Sequence, residues 1–199
     1  MYTITKTNKG EQTRLHILAA GQTLVLQKGF VGVGLKEILA ACGVPKGSFY
    51  HYFPSKEAFG CALLQQYVDA YVQRLDELLA GTEGGRQRLM RYWHAWIDDP
   101  LLGGWAESCL VVKLAAEVAD LSEDMRLILC DGVALLTARI AEMVAAGRRD
   151  GSLPAGDAPQ VVAQALYQLW LGAALLAKLT RDKAPLRQAL MTTERLIAP

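Results

Sequence analysis

The chain has 199 residues, of which 52% are hydrophobic, and a formal net charge of +1. This length and apolar content allow one or two domains with a sizeable buried core. Neither a run of about eighteen apolar residues nor a signal segment is apparent. The composition therefore predicts a soluble, cytoplasmic protein and argues against a membrane-spanning one.

The four cysteines, Cys42, Cys61, Cys109 and Cys130, do not form the spacings typical of metal sites. There is no CxxC pair and no cysteine–histidine pattern, so we predict no metal site and no cofactor. In a reducing cytosol all four are expected to be free thiols.

Charge is distributed unevenly along the chain. Residues 1–60 carry seven basic and three acidic side chains, whereas the other 139 residues carry 14 basic and 17 acidic ones. A basic N-terminal part joined to a more acidic body is typical of a DNA-contacting domain attached to a domain with another role.

Helical spacing of apolar residues dominates, and no long alternating stretch indicates a strand. We therefore predict an all-α fold with about nine helices, entered through a polar arm over residues 1–10. The predicted helices cover residues 11–28, 35–41, 45–52, 56–80, 85–98, 108–120, 122–150, 159–179 and 185–197. A loop rich in helix breakers covers 98–104, and Ser55, Ser108, Ser122 and Asp157 are the predicted helix caps. The expected domains are residues 1–55 and 56–199.

The stretch from Cys42 to Glu57 indicates the turn and second helix of a DNA-binding helix-turn-helix. Gly43 suits a sharp helix end, and Pro45 suits the first position of the next helix. Phe49 and Phe53 share one face and are predicted to anchor this short helix to a core. The side chains predicted to contact phosphates and base edges are Lys36, Lys46, Gly47, Ser48, Tyr50, His51, Tyr52 and Lys56.

This stretch resembles the signature of the TetR family of bacterial transcriptional regulators. The resemblance implies a repressor with an N-terminal helix-turn-helix domain and a C-terminal sensor and dimerisation domain. It also implies a homodimer that pairs through the last two long helices. Because one short recognition helix touches few bases, the expected partner is a palindromic double-stranded operator read by two such helices.

Residues 108–126, 45–60 and 169–173, with Lys178, resemble a narrower group in that family, the repressors of the N-ethylmaleimide-reductase type. Those repressors release DNA when electrophiles or reactive chlorine modify a cysteine. If Ser108 caps a helix, Cys109 lies at its first position, where the helix dipole favours thiolate, and Lys113 lies one turn further on. Thiolate attacks quinones and aldehydes and is oxidised by hypochlorous acid. The sequence thus predicts Cys109 as the sensor.

Lys178 has two interpretations. By the resemblance it lies near Cys109 and couples to an oxidised sulfur or lowers the pKa of the thiol. Otherwise it is a lysine at a helix end that extends to solvent and interacts favourably with the helix dipole.

Two rival functions stay open at this stage. The aromatic residues Tyr92, Trp93, Trp96, Trp105 and Trp170 either line a cavity for a reversibly bound apolar inducer or form plain core. A cysteine-dependent enzyme is the alternative of another class, but no histidine or aspartate with a recognisable pairing to Cys109 supports it, and we expect no enzymatic activity.

Overall fold

The computed structural model describes residues 9–99 and 104–198, and every regular element within these ranges is an α-helix. The elements are α1 (Lys9–Lys28), α2 (Leu35–Cys42), α3 (Lys46–Tyr52), α4 (Lys56–Leu79), α5 (Gly85–Ile97), α6 (Leu110–Leu121), α7 (Glu123–Arg149), α8 (Pro159–Thr180) and α9 (Ala184–Leu196). This confirms the all-α prediction. Most of the predicted N-terminal arm and residues 100–103 of the predicted loop lie outside the described ranges.

Two predicted helix caps, Ser55 and Ser122, are confirmed, because each serine hydroxyl accepts a backbone hydrogen bond. Ser55 Oγ accepts the amide of Ala58 at 2.9 Å, and Ser122 Oγ accepts the amide of Met125 at 3.3 Å. Both hydroxyls satisfy an N–H group of the first helical turn, which has no partner within the helix.

Two predicted caps are wrong. α6 begins at Leu110, so Ser108 lies outside the helix and its hydroxyl donates to the carbonyl of Trp105 at 3.4 Å. Cys109 is consequently the residue directly before α6. At α8 the cap is Ala158 rather than Asp157, because Pro159 already supplies the backbone angle that a helix start needs.

The chain forms two compact units. The first contains the chain up to Tyr67 together with Lys113–Leu129, and the second contains Val68–Val112 and the chain from Cys130 onward. Three helices, α4, α6 and α7, contribute residues to both units. The helix-turn-helix region is therefore part of a unit that also includes residues 113–121 of α6.

Phenylalanine packing forms the centre of the first unit. The ring centroids of Phe49, Phe53 and Phe59 lie 5.3–5.5 Å apart, and all three side chains are buried. α1 approaches this cluster closely at Gly21, where an added Cβ would lie 2.3 Å from the Phe59 ring. Only glycine permits that approach without moving the phenylalanine.

Aromatic packing also forms the centre of the second unit. The Trp93 and Trp170 rings are stacked, with centroids 4.7 Å apart and an interplanar angle of 8°. The indole N–H of Trp170 donates to Thr193 Oγ1 at 2.9 Å, which joins α8 to α9 inside the core. The Thr193 hydroxyl in turn donates to the carbonyl of Ala189 at 2.8 Å, so the chain of hydrogen bonds is complete.

α8 departs from the composition-based expectation. Within the described part of the chain it is the one helix that is long and apolar enough to cross a membrane, judged by length and composition only. One third of its apolar window, 33%, is buried inside the protein. The core helix of a soluble protein passes the same test. Large apolar side chains nevertheless stay exposed on α8 and α9, namely Val161, Leu175, Leu176, Leu179, Met191 and Leu196.

The first prediction concerns the buried Thr193 hydroxyl. Thr193→Val keeps the shape of the side chain but leaves the Trp170 N–H buried without an acceptor, which costs about 1–3 kcal/mol. Urea unfolding at one fixed protein concentration measures this loss. Thr180→Val is the matched control, because its hydroxyl also bonds a carbonyl four residues back but is exposed. Equal stability of the two variants would contradict the assignment.

Candidate operator-binding surface and sensor cysteine

α2 and α3 are joined by a turn of three residues. Gly43 adopts a left-handed conformation with φ 65° and ψ 23°, and Pro45 is extended with φ −61° and ψ 148°. Left-handed φ is costly for residues other than glycine, so Gly43 explains why α2 stops and turns there. α3 begins at Lys46, so Pro45 is the residue before the helix, whereas the sequence predicted Pro45 as the first helical residue.

α3 has one buried and one exposed face. Phe49 and Phe53 are 0% and 1% exposed, which confirms the predicted anchors. The Lys46 ammonium lies 5.8 Å from the centre of the Tyr50 ring. On the outer surface Lys36, Lys46, Gly47, Tyr50 and His51 are exposed, whereas Ser48 and Tyr52 are half-buried. A short helix that presents a cation, hydroxyls and an imidazole after a tight turn is the geometry of a helix-turn-helix DNA-binding protein.

Lys56 differs from the other predicted DNA contacts. Its ammonium donates to the carbonyl of Phe30 at 2.8 Å and lies 4.7 Å from the centre of the Phe30 ring. Burial lowers the pKa of Lys56, and the negative charge of Glu117 partly offsets that effect. The amine of Lys56 therefore bonds the protein's own backbone.

Cys109 is buried, with 2% of its surface exposed, and lies directly before α6. Burial raises the pKa of Tyr92 and of Tyr167, and the electrostatic interaction with Cys109 raises both further. Both tyrosines therefore stay protonated at neutral pH, within electrostatic range of the sulfur. Sequence reasoning named Tyr92 only as a cavity aromatic and missed Tyr167, whose one signal is its place three residues before Trp170 on the buried face of α8.

The two predicted partners of Cys109 lie in different surroundings. The Lys113 amine donates to the carbonyl of Gln27 at 3.2 Å, near the end of α1. Lys178 is exposed and lines a groove of about 400 Å³ together with Ala106 and Glu107, the segment that leads into Cys109. The structure thus places Lys178 on the same groove as that segment and directs Lys113 toward α1.

The other cysteines differ in exposure. Cys42 is buried, Cys61 is half-buried and Cys130 is exposed. Burial raises the pKa of the Cys61 thiol, and the nearby carboxylates of Asp124 and Glu57 raise it further. Cys61 is therefore a poor source of thiolate, whereas Cys130 is the thiol that solvent reaches most easily.

The five predicted cavity aromatics are each no more than 1% exposed. Tyr92 also shares a hydrogen bond of 3.0 Å with the hydroxyl of Tyr71, and the Trp105 N–H donates to Asp99 at 2.5 Å. The indole N–H of Trp93 is buried and finds no acceptor among the described residues. The indole N–H of Trp96 is likewise buried without an acceptor among the described residues, so the packed cluster contains two unsatisfied polar groups.

Comparison with known proteins identifies the class that this geometry indicates. Residues 17–59 match the family model for "Bacterial regulatory proteins, tetR family", and residues 85–193 match "Tetracyclin repressor-like, C-terminal domain". The chain belongs to the TetR family, so it is a DNA-binding transcriptional regulator and not an enzyme. The predicted family and function class are confirmed.

Two curated relatives and one solved structure refine this placement. The transcriptional repressor NemR of Escherichia coli K12 is 47% identical over 187 residues, which cover 94% of each chain. The regulator AcuR of Cereibacter sphaeroides is 34% identical over 180 residues, covering 90% of this chain and 82% of AcuR. The crystal structure of reduced E. coli NemR superimposes with a TM-score of 0.86, covering 94% of this chain and 97% of NemR. Within its family the protein is thus a NemR-like repressor.

The second prediction concerns the cation on α3. Lys46→Ala should weaken operator binding and lower the slope of log affinity against log salt by about one, because one phosphate-directed cation is lost. Fluorescence anisotropy at several salt concentrations measures both quantities. Arg149→Ala removes an exposed cation in the second unit and should change neither. An unchanged slope in Lys46→Ala would exclude Lys46 from the interface.

Proposed function

We propose that this repressor acts in the cytoplasm as a homodimer and releases its operator when a reactive electrophile or oxidant modifies Cys109. The observation that carries the proposal is the place of Cys109 in the chain. It lies directly before α6, which starts in the second unit and ends in the unit that contains the helix-turn-helix. A change at the sulfur therefore acts on the first turn of a helix that continues into the DNA-reading unit.

The surroundings of Cys109 support reactivity in spite of its burial. The amide dipoles at the start of α6 favour a negative sulfur. Tyr92 and Tyr167 also interact electrostatically with Cys109. With a quinone or a maleimide, the thiolate forms a carbon–sulfur bond at the activated alkene carbon, and the neighbouring carbon takes a proton from water.

Lys178 supports a second route with hypochlorous acid as oxidant. The thiol and hypochlorous acid give a sulfenyl chloride and water. The neutral amine of Lys178 then displaces chloride, which leaves with a proton from nitrogen, and a sulfur–nitrogen bond joins the two side chains. The groove that Lys178 shares with Ala106 and Glu107 supports this pairing.

The exposed apolar side chains support pairing of two copies through α8 and α9. Leu175 and Leu179 are 56% and 77% exposed, and they lie four residues apart on one face of α8. An apolar stripe of this kind is stable in water when a second helix covers it. Association of the two copies in a four-helix interface buries the stripe and places two recognition helices on one palindrome.

A reversibly bound inducer is the second candidate. The observation that favours it is the buried Trp93 N–H, which has no acceptor in the described part of the chain. A ligand with one acceptor oxygen and an apolar body would satisfy that group. Operator release in a protein without Cys109 would indicate this route.

The third prediction tests the sensor directly. Cys109→Ser should bind the operator as the original protein does and should no longer release it after treatment with N-ethylmaleimide, because the hydroxyl keeps the size but forms no adduct. Intact-mass spectrometry and gel-shift titration on the same samples measure adduct and release. Cys130→Ser is the control: it removes the exposed thiol and should still release DNA. Normal release by Cys109→Ser would overturn the proposal.

The fourth prediction separates the two interpretations of Lys178. Lys178→Ala should shift the hypochlorous acid dose–response to higher doses while operator affinity stays unchanged, because the sulfenyl chloride loses its nearby amine. If the lysine only stabilises the end of α8, the dose–response stays the same and the free energy of unfolding falls by about 0.3–1 kcal/mol. Lys178→Arg, which keeps the charge but not the nucleophilic amine, should behave like Lys178→Ala toward oxidant.

A further inference from the structure

The loop between α1 and α2 is held by a side chain that comes from α6. The carboxylate of Glu117 accepts the backbone amide of Phe30 at 3.1 Å and the backbone amide of Val31 at 2.5 Å. Both amides lie in the loop, two and three residues after the end of α1. Hydrogen bonds from amides to a charged carboxylate are stronger than those to a neutral acceptor.

Two lysines complete this set of contacts. The Lys56 ammonium donates to the carbonyl of Phe30, and the Lys113 ammonium donates to the carbonyl of Gln27. Lys113 and Glu117 are four residues apart on α6, so one face of that helix holds the end of α1 and the start of the loop. All of these groups belong to the first compact unit.

The fit around Glu117 is tight. Gly29 has φ +80°, and a Cβ added there would lie 2.9 Å from Glu117 Oε2. A side chain at position 29 would therefore push the carboxylate away from the two amides, besides straining the backbone. The glycine permits the turn after α1 and the close approach of the carboxylate together.

The opposite end of the loop provides a comparison. Glu37 accepts the amide of Gly34 at 3.2 Å and pairs with Lys28. Glu37 belongs to α2, so it holds the loop from within the helix-turn-helix region itself. Glu117 holds the other end of the loop in the same way from α6, the helix that Cys109 directly precedes.

We propose that Glu117 is the positioning residue of operator binding. Its carboxylate holds the α1–α2 loop, sets the orientation of α2 and α3 relative to α1, and makes α6 the helix that controls the DNA-reading surface. Glu117 contacts no DNA in this account. That α6 carries the signal from Cys109 is the part that rests on the function proposed above.

The first experiment needs no signal. Operator affinity is measured against salt for Glu117→Ala, Glu117→Gln and Glu37→Gln. Glu117→Ala should lose about tenfold or more in affinity, equivalent to about 1.4 kcal/mol, with an unchanged salt slope, because no phosphate contact is removed. Glu117→Gln should lie between it and the original protein, since its amide oxygen keeps one acceptor. Glu37→Gln should stay within about threefold.

Hydrogen exchange distinguishes positioning from general destabilisation. In Glu117→Ala the amides of Phe30 and Val31 should exchange faster, while amides in the second unit stay as protected as before. Gly29→Ala should reproduce both effects with Glu117 intact. Operator affinity of Glu117→Ala within twofold of the original, or an altered salt slope, would overturn the positioning role. Uniformly faster exchange throughout the chain would overturn it as well.

The second experiment compares operator affinity before and after N-ethylmaleimide. The ratio of operator affinity before treatment to that after treatment should be large in the original protein and in Glu37→Gln. It should be close to one in Glu117→Ala, because α6 of that variant no longer holds the loop. An equal ratio in Glu117→Ala and the original would overturn the coupling through Glu117. A ratio of one in the original protein would overturn the proposed function and the coupling with it, whereas the salt titration would still decide the positioning role.

Discussion

The DNA-reading surface depends on the burial of Phe49 and Phe53. α3 has seven residues, and isolated helices shorter than about 12–15 residues are marginal in water. Full burial of a phenylalanine contributes about 1.5–3 kcal/mol, and both rings pack on Phe59 of α4. The recognition helix is therefore a helix because α4 supports it, and its exposed residues take their places from that packing.

The loop before α2 follows the same principle with polar groups. Its amides and a carbonyl have no partners within a helix, and Glu117 and Lys56 from α6 and α4 satisfy them. Three helices contribute to both compact units. α6 is one of these helices, and it supplies the Glu117 carboxylate that bonds the loop of the DNA-reading unit.

Exposure alone does not rank the cysteines in the proposed mechanism. Cys130 is exposed and lies within α7, whereas Cys109 is buried, lies directly before α6 and interacts electrostatically with Tyr92 and Tyr167. Thiolate stabilisation and mechanical connection set the response in this account. In the proposed mechanism, an adduct at Cys130 leaves α6 unchanged, whereas an adduct at Cys109 alters the start of a helix that continues into the DNA-reading unit.

The sequence by itself determined the helices, the turn at Gly43, the serine caps at Ser55 and Ser122, and the buried face of α3. These features arise from residues within a few positions of one another, where helical spacing and backbone preferences decide. The tertiary structure alone decided the partners of Glu117, which lie 86 and 87 residues away. It also decided the bond of Lys56 to the backbone and the electrostatic interaction of Tyr92 and Tyr167 with Cys109. Such contacts depend on how distant helices pack, and no local pattern in the chain specifies which backbone amides a given carboxylate will meet.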